Sequence, residues 1–193
     1  KSKYDLKKAL NNLEVLNCKH LQLRYFSKIS MNDLVSIIEI LNQKASIIQD
    51  IQFFIPFDTT NGRIDLTKLI QENGRINSIV IYNAPENEVL NVKYQGKLLY
   101  TTKNIIDERS CGLIHSKNFA INVENYVESQ NHNSCLHGKI SIDTNGNIKN
   151  CPSMTQSFGN INDTTLQEAL QQKEFKKYWD ITKDKINVCK HCE

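Results

Sequence analysis

The sequence has no long apolar run. Its most hydrophobic stretches, "SIIEIL" and "FFIPF", fall far short of the roughly 20 residues a helix needs to cross a bilayer, so no membrane span is expected. Glycine is scarce: seven residues, none arranged as G-x-G-x-x-G or as a Walker-type loop. Without such a loop there is no backbone cradle for phosphate, and a nucleotide-binding enzyme is the weakest of the readings considered. Charge of one sign is also lacking, because 24 Lys+Arg against 21 Asp+Glu leave a net +3, too little to attract nucleic acid as a main partner. The N-terminal "KSKYDLKKALNNLEVL" has neither an initiator Met nor the continuous apolar core of a secretory signal. The missing Met fits a fragment of a longer chain, and nothing signals secretion, so a cytoplasmic protein is expected. Internal repeats and low-complexity tracts are absent.

What is present is ordinary globular chemistry. Hydrophobic residues make up 39% and charged residues 23%, and 193 residues suffice for one domain carrying a smaller appendage. Leu6, Leu10, Leu13 and Leu16 are spaced as on a helix. "HLQLRYF" alternates like a strand with Leu21, Leu23 and Tyr25 on one face. "SMNDLVSIIEILNQK" sets Leu34, Ile37, Ile38 and Leu41 on one helical stripe behind a Ser30/Asp33 capping box. "DIQFFIPF" and "NSIVIYN" are continuously apolar, as strands buried on both faces are. Between them "IDLTKLIQENG" predicts a helix capped by Asp65, buried through Leu66, Leu69 and Ile70, and ended by a left-handed Gly74.

Strand, helix, strand, helix, strand implies parallel pairing. A complete eight-stranded barrel takes about 250 residues, so the α/β part is an open, mostly parallel sheet or a partial barrel. Residues 84–118 are less regular, with "GKLLYTT" and "FAINV" as further strand candidates. "ENYVESQNHNS" is polar and loop-like, so the expected division is an α/β domain over 1–123 and a small cysteine-containing module over 124–193, with the change there or near Cys111.

Six cysteines, at 18, 111, 135, 151, 189 and 192, would allow three disulfides, but an α/β domain without a secretion signal has no need of them. Their spacing carries more. "KISID" and "NIKNC" flank Asn145-Gly146, a dipeptide suited to a type I′ turn; a two-residue turn places Ile140 opposite Cys151 and brings Cys135 to the same open end. "CKHC" sets Cys189 and Cys192 at the two-residue gap that lets neighbouring thiolates hold one metal. Cys135, Cys151, Cys189 and Cys192 are therefore candidate ligands for zinc or an iron-sulfur cluster. Cys18 reads as a packed thiol; Cys111, in "RSCGLIH", reads as a further ligand or a packed thiol, and both stay open. His132, His137 and His191 lie beside ligand candidates, but surface histidines near loops are common and none is assigned a role. Between the cysteine pairs, Asp163 or Thr164 is expected to cap a helix buried through Leu166, Ala169 and Leu170, continued by Phe175, Tyr178 and Trp179, with Lys173, Lys176 and Lys177 solvated.

The pattern C-x10-G-x4-C from Cys135 through Gly146 to Cys151, followed by C-x2-C at Cys189 and Cys192, resembles the SPASM domain that follows the catalytic domain of many radical SAM enzymes. The texture "NHNSCLHGKISIDTNGNIKNCPSM", "FGNINDTTLQEAL" and "KDKINVCKHCE" resembles the SPASM-domain peptide maturases of grasp-with-spasm systems. The resemblance implies 4Fe-4S clusters, with Cys135 and Cys151 serving one and Cys189 and Cys192 another, Cys111 completing part of the first. It also implies a radical-SAM-like α/β domain, a role in maturing ribosomally made peptides, and a precursor peptide and an ATP-grasp ligase as partners. The family continues beyond C-x2-C with further cysteines where this sequence stops at Glu193, and the C-x3-C-x2-C triplet of radical SAM chemistry is absent. No catalytic residue is assigned. The alternative is a structural or adaptor module with one closed four-cysteine zinc site.

Overall fold

The computed structural model describes residues 3–43, 46–59, 62–92, 96–110 and 123–187. The chain divides into two compact units, Leu13–Ser110 and a second made of Lys1–Asn12 with Cys111–Glu193, and the division runs through the first helix, α1 (Leu6–Val15).

The Leu13–Ser110 unit holds β1 (His20–Arg24), α2 (Met31–Gln43), β2 (Asp50–Pro56), α3 (Arg63–Glu72), β3 (Ile76–Tyr82), β4 (Glu88–Val92) and β5 (Gly96–Tyr100). The sheet order is β1-β2-β3-β5-β4. β1, β2, β3 and β5 are parallel, and β4 pairs antiparallel with β5. It is a mixed α/β architecture with an open sheet, and no barrel is formed among the described residues. The central strands are buried as their apolar runs predict: Phe53, Ile76, Ile79 and Leu98 are all 0% exposed. β5 follows β3 in parallel without a crossover helix, because the antiparallel edge strand β4 carries the chain back. β5 starts on glycine for a steric reason: a Cβ at Gly96 would stand 2.7 Å from the carbonyl oxygens of Ile76 and Asn77.

The stripe Leu34, Ile37, Ile38 and Leu41 is buried on α2, each side chain contributing roughly 1.5–3 kcal/mol. The capping box also forms: Ser30 Oγ accepts the Asp33 N–H at 3.2 Å, and the Asp33 carboxylate accepts from Ser30. α3 buries Leu66, Leu69 and Ile70, but its ends differ from expectation. The N-cap is Gly62, which leaves Asp65 inside the first turn, where a carboxylate meets the positive end of the helix dipole. At the other end Asn73 closes the helix, its side chain donating to Leu69 O at 2.9 Å and its N–H to Ile70 O; Gly74 is not left-handed.

The second unit contains α4 (Val123–Asn131), the two-stranded hairpin β6 (Ser141–Ile142) and β7 (Ile148–Lys149), α5 (Leu166–Gln171) and short 3-10 helices at Lys173–Lys176 and Lys183–Lys185. Its core is Leu136, Ile148, Phe158, Ile161, Leu166, Ala169 and Phe175. The segment expected to be a loop over 124–134 is largely α4, a helix whose apolar residues Val123, Tyr126 and Val127 stay exposed. The "FAINV" candidate lies at 119–122 outside the described residues, and its last residue, Val123, opens α4. α5 is capped by Thr165, not Asp163 or Thr164, in a full capping box with Glu168, because only Thr165 stands three residues before a glutamate. "KEFKKYW" does not continue that helix; the chain breaks at Gln172 and restarts as a 3-10 helix that buries Phe175 completely. The start of the chain joins this unit through backbone and side-chain bonds: Lys3 N–H to Thr144 O at 3.1 Å, Lys8 Nζ to Asn162 O at 2.6 Å, and Leu166 N–H to Asn12 Oδ1 at 3.1 Å. No helix among the described residues is long and apolar enough to cross a membrane.

Candidate metal centre

The hairpin decides where the two internal cysteines stand. The Asp143 N–H donates to Asn147 O, and the Gly146 N–H to Asp143 O, both at 3.0 Å, so the loop holds three residues, 144–146. Gly146 is left-handed at φ 88°, while Asn145 is not, which rules out the type I′ turn. The Asp143 carboxylate accounts for the difference. Oδ1 accepts the backbone N–H of Asn145 and of Asn147, each at 2.9 Å, and this local bonding favours the longer loop. Ser141 therefore pairs with Lys149 and Ile142 with Ile148. Continued outward, that register sets Ile140 opposite Asn150, and the expected Ile140–Cys151 pairing is off by one residue. β7 is flanked on its other side by 158–161, with the Ile148 N–H bonded to Gly159 O and the Phe158 N–H to Ile148 O.

The one-residue offset brings Asn150 between the arms. Its Nδ2 donates to Leu136 O at 3.0 Å and to Lys139 O at 2.8 Å. The residue before Cys151 is thereby tied to the residue after Cys135. The Cys135 arm is a turn organised by Asn133, whose Oδ1 accepts the N–H groups of Cys135 and Leu136 at 3.1 and 3.2 Å. Cys135 is exposed and Cys151 half-buried, both free thiols. Cys111, Cys189 and Cys192 lie outside the described residues. Among the described residues no group of three or more His, Cys, Asp or Glu side chains stands ready for a metal ion. Two thiols are half of a tetrahedral or cluster-binding set.

Cys18 is held differently. Its thiol donates to His20 O at 3.1 Å, and burial pushes its pKa up, an effect that Glu14 reinforces. A thiol kept protonated is a poor ligand, in keeping with its reading as a packed residue.

The two histidines beside the candidate ligands form a stack, with ring centroids 3.7 Å apart and planes 3° from parallel. Nδ1 of His132 faces Asp180 at 3.2 Å, and Nδ1 of His137 faces Glu128 at 3.3 Å. Parallel rings hold their in-plane lone pairs in separate planes, so this arrangement does not aim both at one ion. His137 also meets Trp179 edge to face at 5.3 Å, and Trp179 O accepts the Asn133 N–H at 2.7 Å. His191 lies outside the described residues.

Two buried side-chain polar atoms lack a hydrogen-bond partner among the described residues, Asn150 Oδ1 and Trp179 Nε1. Both residues border the turn carrying Cys135: Asn150 through Leu136 and Lys139, Trp179 through Asn133 and His137. An unmet buried polar atom costs about 1–3 kcal/mol, so each of the two calls for a partner that the described residues do not supply. Asn150, Asn133 and Trp179 were not singled out by spacing as part of a site; the adjacency of Asn150 to Cys151 is the one signal the sequence offers.

Comparison with known proteins covers this stretch of the chain. Residues 134–193 match the SPASM family, an iron-sulfur cluster-binding domain, and the match includes Cys135, Cys151, Cys189 and Cys192. No curated protein and no solved structure matches the chain.

Proposed function

We propose that Cys135 and Cys151 serve one iron-sulfur cluster and Cys189 and Cys192 another, of 4Fe-4S type by resemblance, in a protein that serves peptide maturation beside an ATP-grasp ligase. The observation that carries the metal reading is the Asn150 clasp, which sets two free thiols on adjoining arms inside the stretch that matches an iron-sulfur domain. Cys111 is the proposed additional ligand. A bound cluster would supply electron transfer or a Lewis-acidic iron. The chain's own part is to fix the thiolates through the hairpin, with Asn133 and Asn150 setting the two arms.

The peptide role draws on the sequence resemblance of residues 131–193, and the radical-SAM-like reading of the α/β domain on its parallel strands. Edge strand β4 pairs only with β5 among the described residues and leaves Val89 59% exposed, which suits an extended precursor peptide added as a further strand.

Protein purified without oxygen is expected to be brown and to contain iron and acid-labile sulfide. Colourless protein carrying one equivalent of zinc would replace the cluster with a closed zinc site and remove the electron-transfer role. In native mass spectrometry the same preparation is expected to associate with an ATP-grasp ligase and its precursor peptide; absence of both complexes would sink the maturation role and leave the metal site standing.

A further inference from the structure

We infer that Asn145 is a deamidation site that the closed hairpin loop withholds from reaction, and that its conversion to isoaspartate locks the loop open. The inference stands on the loop's own geometry, independently of the metal reading, and names a site that no comparison assigns.

An asparagine followed by glycine is chemically labile, because no side chain shields the glycine nitrogen from the neighbouring carboxamide. In the reaction the Gly146 nitrogen bonds to Cγ of Asn145, the Cγ–Nδ2 bond breaks, and the proton from the attacking nitrogen leaves with Nδ2 as ammonia. Water then opens the cyclic imide. Its addition to the side-chain carbonyl gives aspartate; addition to the main-chain carbonyl gives isoaspartate, whose main chain runs through the former side chain and is a methylene longer. No oxidant or reductant takes part.

Asn145 is exposed, so its carboxamide and water can meet. What holds the reaction back is the peptide bond that has to turn. Both of its polar groups are engaged: the Asn145 carbonyl accepts from Asn160 Nδ2 at 3.0 Å, and the Gly146 N–H donates to Asp143 O at 3.0 Å. The flanking groups are held as well. The Asn145 N–H donates to Asp143 Oδ1 at 2.9 Å, the Gly146 carbonyl accepts the Ile161 N–H at 2.8 Å, and Thr144 O accepts the Lys3 N–H at 3.1 Å. Gly146 sits at φ 88° with so little room that a Cβ would stand 2.8 Å from Asn160 Oδ1. A nitrogen whose hydrogen is bonded and whose peptide plane is fixed does not swing onto Cγ, so the chemistry is confined to moments when the loop opens. Afterwards the loop no longer closes as before. The new carboxylate stands in the loop that the buried Asp143 carboxylate organises, where like charges repel, and the extra methylene lengthens a three-residue loop bonded at both ends.

Folded protein and a synthetic peptide of Ile140–Lys149 are incubated side by side at mildly alkaline pH, and isoaspartate is measured by mass spectrometry after digestion at lysine. The site is expected to react about a hundredfold more slowly in the folded chain, in proportion to the small fraction of time the loop is open. Across the urea transition of this unit, which Trp179, the sole tryptophan, reports by fluorescence, its rate should rise to that of the peptide. Asn160→Ala, which takes away the donor to the Asn145 carbonyl, is expected to speed the reaction about tenfold while circular dichroism stays that of the folded protein. The isoaspartate form, separated by ion exchange, is expected to unfold at a lower urea concentration than the unreacted chain. A folded chain that reacts as fast as the peptide, or a folded Asn160→Ala protein that reacts no faster than the unaltered one, overturns the gate. An isoaspartate form with an unchanged midpoint overturns the lock.

Discussion

Cys135→Ser and Cys151→Ser, each made alone, are expected to leave the purified protein with less than about a tenth of its metal. Loss of a group that merely orients a ligand costs about 10–100-fold in affinity, and loss of the ligand itself should cost at least as much. Serine keeps the shape but not the donor: its hydroxyl does not ionise near neutrality, and soft metal sites select thiolate. Neither substitution disturbs a packed core, because Cys135 is exposed, Cys151 is only half-buried, and both are free thiols. Loss of metal without loss of folded structure is therefore the expected signature, read by metal analysis beside circular dichroism. Cys18→Ser is the control. That residue belongs to the sheet-bearing unit, its thiol is held protonated against His20, and its replacement should leave metal content unchanged. Equal metal in the Cys135 and Cys151 variants, or equal loss in the Cys18 variant, would overturn the ligand assignment.

The parts of this molecule that were legible beforehand are those where one physical pattern acts alone. On α2 the stripe Leu34, Ile37, Ile38, Leu41 serves only burial, so period and structure agree. β2 and β3 are covered on both faces, and their apolar runs say so. α4 had no such pattern, because Val123, Tyr126 and Val127 are 77%, 65% and 50% exposed and its other residues are polar. The hairpin failed for another reason. Asn145-Gly146 favours one turn, Asp143 favours a longer loop by accepting two backbone N–H groups, and the carboxylate prevailed. The site was half legible. Cysteine spacing points to the thiols, while the clasp through Asn150 spans to carbonyls at 136 and 139 and follows from the register, which the Asn-Gly signal alone sets one residue out. Trp179 was read as a core aromatic; its ring does pack, and only its unmet N–H distinguishes it.

Asp143→Ala is expected to destabilise the second unit by about 3–5 kcal/mol, a large share of the roughly 5–15 kcal/mol that holds a typical domain folded. The Asp143 side chain is 3% exposed and accepts four bonds: two from backbone N–H groups, one from Asn147 Nδ2 at 3.0 Å, and one from Lys149 Nζ at 3.0 Å, itself only 11% exposed. Removing the carboxylate unlatches the loop that sets the cysteine register and strands a buried ammonium. Burial alone would raise the Asp143 pKa, but the bonds from Asn147, Lys149 and Asn145 together hold it below the usual carboxylate value. A carboxyl whose pKa is lower in the folded state binds its proton more readily once unfolded. Its contribution is thus complete above the unfolded value of about 3.9 and disappears as pH falls through the lower folded value. Trp179 fluorescence reports unfolding of this unit alone. Denaturant midpoints should fall sharply in Asp143→Ala, and the acid end of the stability profile should flatten with it. Asp143→Ala combined with Lys149→Met should recover part of the loss by removing the stranded charge. An unchanged midpoint in the single variant, or no recovery in the double, would show that this ion pair does not fix the hairpin, and the register argument for the paired cysteines would lose its physical basis.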